Sequence, residues 1–477
     1  EMKFINADSF FTRYKKPGIE FYYYGEFDTT IESILYFLEN GKFPTNLKGN
    51  FAFYYKDESR VVIAVDHAPT INLFYTDNKV SHIFHLLKDS SSIPNQEIEI
   101  QSRFFHGATF GTQTFVHGIN RLRQGTYLEK NLITGQCSTV EYIDLYNHDI
   151  DESVSLYDLG NILEDIIDKN TKHEFNLLYS SGTDSNCLLG YIRKLERTDR
   201  CNLISLYTNG AIYNEKAQID EILKIYNLNT TFYDIGKFVG KTSSAIARFN
   251  DPNETPIYKK NFERMFAGSW NDSTSWQKFE AVHDTGNTDK ITLTGEIGDE
   301  LFGPGPTLKM LRYIIQNPEF TSREIVILFL TIHIFRNRET FVKEYDQWLV
   351  NINGNEHRLS AWENTITYFT KLWDRLNKDD IVNAGKLMQW HLMTPWRLLP
   401  YTQFSKVKFL HPFQDYRLYF NIWKIPGTSM FNNSGIARKG SYEIIKDYVT
   451  PIPWQYKKIG PTYVAVEERL NKYRSVS

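Results

Sequence analysis

Residues 174–185 read EFNLLYSSGTDS, and the reading of this stretch decides the fold. A short apolar run behind a charged residue has the pattern of a buried strand, and it ends in small residues and a glycine, the turn into a helix around 185–196. Upstream, Leu156, Leu159, Ile162, Leu163, Ile166 and Ile167 recur at helical spacing. Downstream the pattern alternates: a strand at 203–207, a helix at 215–226, a strand at 230–234, and later the strand KITLTG at 290–295. Such alternation predicts a parallel sheet covered by helices on both faces. Beyond residue 307, long amphipathic helices rich in Trp and Tyr extend this α/β core. The most apolar stretch, Ile325 to Phe335, lies between Glu324 and Arg336. It is too short for a hydrocarbon core that needs about 20 residues, so it reads as a buried helix.

Before residue 150 the texture differs. FYYY at 21–24, FAFYY at 51–55, VVIAV at 61–65 and NLFY at 72–75 are short β-rich runs, separated by turn residues such as KDES at 56–59 and TDNK at 76–79. One helix, Thr29 to Asn40, interrupts them, with Ile31, Ile34, Leu35 and Leu38 on one face and Gly41 as its stop. This predicts a layered α+β unit. The polar segment YNHDIDESVS at 146–155 has no apolar periodicity and reads as a linker, dividing the chain into 1–148 and 152–477.

The 477 residues suit two or three domains at roughly 150 residues each. With 54 basic and 57 acidic residues the net charge is −3, which gives no general attraction to nucleic acid or anionic membrane. Three cysteines, Cys137, Cys187 and Cys201, without a CxxC pair suggest neither a disulfide framework nor a cysteine zinc site. No basic and apolar leader opens the sequence, so a reducing cytoplasmic setting is expected.

Where EFNLLYSS ends, Ser180, Ser181, Gly182, Thr183, Asp184 and Ser185 occupy the carboxyl edge of the expected strand. Small residues there let backbone N–H groups approach a phosphate, and the following helix adds unpaired donors and the positive end of its dipole. Asp184 is placed to hold Mg²⁺. A serine-rich helix cap without any ligand has the same signature. The second loop, TGEIGDELFG at 294–303, follows a β-branched strand and sets Glu296, Asp299 and Glu300 among three glycines. Apolar Leu301 and Phe302 imply burial, and buried carboxylates call for a metal or a catalytic task. Other nucleotide motifs fail: GIARKGS at 435–441 has Ser441 where a Walker lysine is required, and no GxGxxG opens a helix after a strand. His411 beside Pro412 reads as a packed loop histidine, since no second His or Cys lies at metal spacing, and Trp373, Trp390 and Trp396 read as helical core.

These motifs carry a resemblance. SSGTDS resembles the SGGxDS pyrophosphate loop of N-type ATP pyrophosphatases, and GEIGDELFG closely resembles the second loop of the asparagine synthetase and β-lactam synthetase superfamily. KFLHPFQDYRL at 408–418 is similar to that family's Pro-Phe-x-Asp-x-Arg-Leu stretch, and WQYKKIG at 454–460 to its C-terminal lysine motif. LKGNFAFYYKDESRVVIAVDHAPTINLFY at 47–75 and INRLRQGTYL at 119–128 resemble the αββα class II glutamine amidotransferase domain that precedes the synthetase domain. That domain uses an N-terminal cysteine and an Asn-Gly pair. This sequence begins Glu1-Met2-Lys3-Phe4 and has Tyr24-Gly25, so the amidotransferase half is expected to be degenerate, as in β-lactam synthetases and lasso-peptide cyclases.

The resemblance implies an ATP-dependent, AMP-forming amide ligase that does not use glutamine, in peptide or secondary-metabolite (antibiotic) biosynthesis. Residues 180–185 would grip pyrophosphate, Thr294 and Gly295 would meet the nucleotide, and Asp184 and Asp299 would hold Mg²⁺. Leu206 and Tyr207 would border adenine. Glu296 would take a proton from the attacking amine, and Lys457, or Lys458 in the neighbouring register, would stabilise charge on the adenylate. Ser181 replaces the usual second glycine, which narrows the backbone choices there and points to weaker binding. The partners expected are a small-molecule or peptide carboxylate and an amine, without nucleic acid or membrane, and with a homodimer or a biosynthetic partner protein compatible. Ammonia-dependent asparagine synthesis and a catalytically inactive binding scaffold stand as alternatives.

Overall fold

The computed structural model describes residues 2–5, 10–98, 111–207, 215–234, 278–302, 318–331, 356–403 and 407–430, less a few short gaps within them. The described residues form three sheets. The first ten strands are β1 (Lys3–Phe4), β2 (Thr12–Lys16), β3 (Ile19–Phe27), β4 (Gly49–Lys56), β5 (Arg60–Val65), β6 (Phe74–Tyr75), β7 (Lys79–Ser81), β8 (Asn120–Arg121), β9 (Thr126–Asn131) and β10 (Cys137–Glu141). They form a six-stranded antiparallel sheet, β10-β9-β5-β4-β3-β2, and a smaller one, β1-β7-β6-β8. Alternation along β4 and β5 sends Ala52, Tyr54, Val61, Ile63 and Val65 between the two sheets, where they meet Ile71, Leu73 and Val80.

The opposite face of the larger sheet, with Phe21, Phe51, Phe53 and Val62, packs on helix α1 (Ile31–Glu39) through Ile34, Leu35 and Leu38. Thr30 caps α1 by accepting the Ser33 amide at 3.2 Å, and Gly41 at φ +70° carries the chain away. The smaller sheet is covered by the 3₁₀ turn Phe84–Leu87 and by Val116 and Ile119.

Ser155 and Asp158 form a reciprocal capping box that starts α2 (Leu156–Asn170), whose Leu159, Leu163, Ile166 and Ile167 are buried. The parallel sheet follows: β11 (Phe175–Leu178), α3 (Thr183–Lys194), β12 (Cys201–Tyr207), α4 (Lys216–Ile225), β13 (Thr231–Asp234), β14 (Ile291–Leu293), α5 (Gly298–Phe302) and β15 (Phe409–Leu410). Its order is β13-β12-β11-β14-β15, every pair parallel. Every residue of β11, the central strand, is buried, as expected for a strand covered on both faces. Between β14 and β15 also lie α6 (Ser322–Thr331), α7 (Glu356–Arg375) and α8 (Ile381–Gln403), and α9 (Tyr416–Ile422) and a 3₁₀ turn at Gly427–Met430 end the described chain. The run Ile325–Leu328 is buried within α6, as its apolar pattern predicts. Among the described residues, no helix is long and apolar enough to cross a membrane.

The segment 146–155 is docked rather than loose: Tyr146 lies under the Arg375 guanidinium at 3.9 Å, His148 packs edge-on against Tyr419, and the Asp151 amide donates to the Lys424 carbonyl at 2.9 Å. The parts before and after residue 150 also share one continuous apolar cluster, which runs from Phe51 and Phe53 through Leu159 and Leu163 to Trp390 and Tyr419.

Candidate functional site

In the parallel sheet the connections run outward from β11 to β12 and β13 on one side, and then to β14 and β15 on the other. The order reverses between β11 and β14, and in open α/β sheets the crevice beyond the carboxyl ends of two such strands is where ligands bind. The first loop, 180–185, leaves β11, and the second, 294–302, leaves β14. The sheet topology therefore brings the two sequence-predicted loops to the same crevice.

They touch. A β-carbon placed on Gly298 would lie 2.5 Å from Asp184 Cγ and 2.7 Å from its Oδ1; one on Gly295 would lie 3.1 Å from Asp184 Cβ and 3.2 Å from the Ser185 amide nitrogen. Both glycines are needed for space rather than for backbone freedom, since neither has a positive φ. Asp184, the second residue of α3, thus rests its carboxyl group directly on the backbone that leads into Asp299.

The first loop is tied internally. The Ser180 amide donates to Ser185 Oγ at 3.2 Å, the Gly182 amide to Ser180 Oγ at 3.2 Å, and Ser185 Oγ donates to the Ser180 carbonyl at 2.8 Å. Ser181 is drawn to an acid outside the motif: its amide and its hydroxyl both donate to Glu215 Oε2, at 3.2 and 2.8 Å. With these three amides already engaged, an anion would be met by the first turn of α3, for which Gly182 provides no side-chain cap. Ser181 does not take up a positive φ, so its β-carbon is accommodated without strain.

The second loop is strained. Ile297 has φ +71°, a left-handed conformation that a β-branched residue avoids, and its side chain is buried. The Thr294 hydroxyl accepts the Glu296 amide at 3.3 Å and lies 2.7 Å from His411 Nδ1. Burial pushes His411 down to about 4, against a smaller upward pull from Glu296, so the ring is neutral. His411 is packed, as its sequence context suggests, but it packs into the site, its ring parallel to that of Phe409. The Glu296 carboxylate is paired with Lys278 in a short ion pair, both side chains largely shielded. Glu300, Leu301 and Phe302 are buried.

Sequence reasoning misses Glu215, Lys278 and the role of His411. Glu215 stands past the carboxyl end of β12, the position that an acid serving this crevice would occupy, and that rule can find it. Lys278 has no motif or spacing to mark it. Lys457 and Lys458, together with the 435–441 segment, lie outside the described residues. Leu206 and Tyr207 end β12, beside β11.

Among the described residues no group of three or more His, Cys, Asp or Glu side chains is arranged to enclose a metal. Asp184 and Asp299 supply carboxylate oxygens on facing loops, a donor set that suits Mg²⁺, which is commonly held by one or two carboxylates while phosphate oxygens and water complete its shell.

No family model matches the chain, and no curated protein matches it. Among solved structures, a glutamine-dependent NAD⁺ synthetase from Acinetobacter baumannii in complex with ADP aligns at 11% identity over 44% of this chain and 43% of its own, with a TM-score of 0.21. The chain thus spans less than half of that synthetase. The U34-tRNA thiolase NcsA from Methanococcus maripaludis aligns at 13% identity over 44% of this chain and 79% of its own, TM-score 0.19. A glutamine PRPP amidotransferase from B. subtilis, complexed with ADP and GMP, aligns at 10% identity over 60% and 64%, TM-score 0.17. Superpositions this loose leave the reading of the site to its own geometry.

Proposed function

We propose that this chain is an ATP-dependent, amide-bond-forming ligase of the asparagine synthetase and β-lactam synthetase kind, acting on a small-molecule or peptide carboxylate and an amine. In this reading residues 1–148 form a degenerate amidotransferase-like domain and residues 152–477 the synthetase domain. One observation carries it: the two loops that resemble the family's nucleotide loops leave the two strands flanking the switch point, and Asp184 of one sits on Gly298 of the other.

The chemistry follows from what each residue can do. A carboxylate is a poor electrophile and needs activation, so its oxygen attacks the α-phosphorus of ATP and the bond to the bridging oxygen breaks, releasing pyrophosphate. The Ser180–Ser185 loop and the first turn of α3 hold the departing pyrophosphate, while Thr294 and Gly295 face the nucleotide from the second loop. Asp184 and Asp299 would hold Mg²⁺, which when bound supplies neutralisation of the triphosphate charge. The amine nitrogen then attacks the acyl carbon, AMP leaves, and Glu296 accepts the proton that the nitrogen sheds. Lys278 keeps the Glu296 carboxylate in place, and the resemblance of WQYKKIG gives Lys457, or Lys458 in the neighbouring register, the part of a cation that would stabilise the adenylate.

Exchange of inorganic pyrophosphate into ATP, measured over a panel of carboxylic acids, tests this. Exchange that requires one class of acid and Mg²⁺, and is abolished by Asp299→Asn, supports the ligase. Asparagine formed from aspartate, ATP and ammonium would narrow it to asparagine synthesis. Failure to bind ATP or to exchange with any acid would leave the fold as a binding scaffold.

A further inference from the structure

The five residues between β15 and α9 touch three separate parts of the molecule. His411 meets Thr294 at the head of the second loop at 2.7 Å. Phe413 packs edge-to-face on Phe302 at the end of α5, ring centroids 5.8 Å apart. Gln414 reaches the part of the chain before residue 150: its side-chain Nε2 donates to the Ala68 carbonyl at 2.6 Å and to Thr70 Oγ1 at 2.8 Å, while its own carbonyl lies 2.9 Å from His67 Nε2. Because a carbonyl only accepts, that ring nitrogen carries the proton. The turn is closed on itself by the Gln414 amide donating to the His411 carbonyl at 2.9 Å, so its two ends cannot move independently. The partner loop is equally fixed: the Asp66 carboxylate accepts the amides of Phe51 at 2.8 Å and Ala68 at 3.1 Å and the Thr70 hydroxyl at 2.5 Å.

We infer that the amidotransferase-like half is a working part of the ligase site, in which loop 66–70 braces turn 411–415 and thereby positions Thr294 and the acidic second loop. His67 and Gln414 are positioning residues, acting through His411 and Phe413. The physical case rests on where the polar bonds fall. Beside the shared apolar cluster other polar bonds also join the two halves, the Arg375 guanidinium on Glu141 and Gln124 on His391 among them. At this turn the bonds are those of Gln414 and His67 together with Asn50, whose Oδ1 accepts the Tyr416 amide at 2.9 Å. An apolar face alone resists separation but not sliding. Directional bonds set the register, and His67 and Gln414 are both buried, so losing a bond leaves a polar group stranded away from water. Ile297 adds a reason for a brace, since a strained backbone persists only where its surroundings over-determine it.

The inference deepens the ligase reading and rests on it for the activity readout alone. In the full-length protein, Gln414→Leu removes both side-chain bonds at similar volume, His67→Phe removes the ring donor, and His67→Gln restores a donor nitrogen. Amide hydrogen exchange over 294–302 is expected to speed up in Gln414→Leu and His67→Phe while the strands of the larger sheet keep their protection. Pyrophosphate exchange into ATP is expected to fall by about tenfold or more, as small displacements of reacting groups do. His67→Gln is expected to recover both. Should Gln414→Leu fail to fold, His67→Phe decides the matter. Wild-type exchange across 294–302 in a folded variant overturns the brace. If the wild-type protein itself shows no pyrophosphate exchange, the ligase reading falls, and the hydrogen-exchange result still decides the brace.

Discussion

A methyl group placed on Gly298 probes the joint between the two loops. It would stand 2.5 Å from Asp184 Cγ and 2.9 Å from Asp184 Cβ, whereas ordinary contact begins near 3.4 Å. Turning the Asp184 side chain can move Cγ, but Cβ is fixed to α3, so the loops themselves must part by about 0.5 Å and the carboxyl by about 0.9 Å. Alanine suits the first position of α5 better than glycine by up to about 1 kcal/mol. Overpacking costs about 1–3 kcal/mol, and the clash is expected to win. Gly298→Ala should therefore melt at a lower temperature and lose roughly 10- to 100-fold in pyrophosphate exchange, the scale expected when a reacting group is misplaced by about 1 Å. Gly295→Ala, whose nearest contact would be 3.1 Å, asks for only a few tenths of an ångström and should be milder in both assays. A Gly298→Ala protein with unchanged melting and unchanged exchange would show that Asp184 does not rest on the second loop.

Three further outcomes follow from the same geometry. Glu215→Ala and Ser181→Ala should be strongly coupled in urea melts, by about 1–2 kcal/mol, because one carboxylate oxygen takes both Ser181 donors; simple additivity would remove Glu215 from the loop. Glu296→Gln and Lys278→Met should each impair amide formation more than pyrophosphate exchange, since in the proposed reading the pair serves the second half-reaction; equal loss in both assays would deny it that part. Burial holds the imidazoles of His67 and His391 down at about 3 and that of His411 at about 4, against about 6.5 in the unfolded chain, so between those values the unfolded state binds more protons. Stability is then complete above about pH 6.5 and is lost as pH falls toward 4, by up to about 1.4 kcal/mol per pH unit for each ring; equal unfolding free energies at pH 7 and pH 5 would contradict it.

The parallel sheet is legible because local preference and global role agree along it. Phe175–Leu178 is apolar throughout because the strand is buried on both faces, and the helices either side carry clear periodicity. The edges are less legible. Strand β2, TRYKK, is mostly exposed and charged, which protects a sheet edge but erases the alternation by which strands are read. Strand β15 has two residues, Phe409 and Leu410, and exists only through its register with Thr292 and Leu293. The same divide runs through the site. Asp184, Glu296 and Asp299 are legible because small residues and acids crowd into two turns. The Lys278–Glu296 pair and the His411–Thr294 contact, 117 residues apart in sequence, depend on packing between elements that no local pattern specifies.

Ile297 shows how far the second loop departs from what stability alone would select. Left-handed backbone costs a non-glycine residue about 1–2 kcal/mol, and glycine would adopt it freely. Burying an isoleucine side chain returns about 1.5–3 kcal/mol, so the position is held near balance by the core beneath it. On either side of this residue stand Glu296 and Gly298-Asp299, whose directions are set by the reversal at 297. An unstrained turn would let the chain relax and swing one acid away from the crevice. The side chain of Ile297 therefore anchors a conformation that the backbone disfavours, Gly298 keeps the space in which Asp184 lies, and turn 411–415 closes the far side at Thr294 and Phe302. Each device fixes one loop against the other, and in the proposed reading that arrangement is useful when a cation and a polyphosphate come to lie between Asp184 and Asp299.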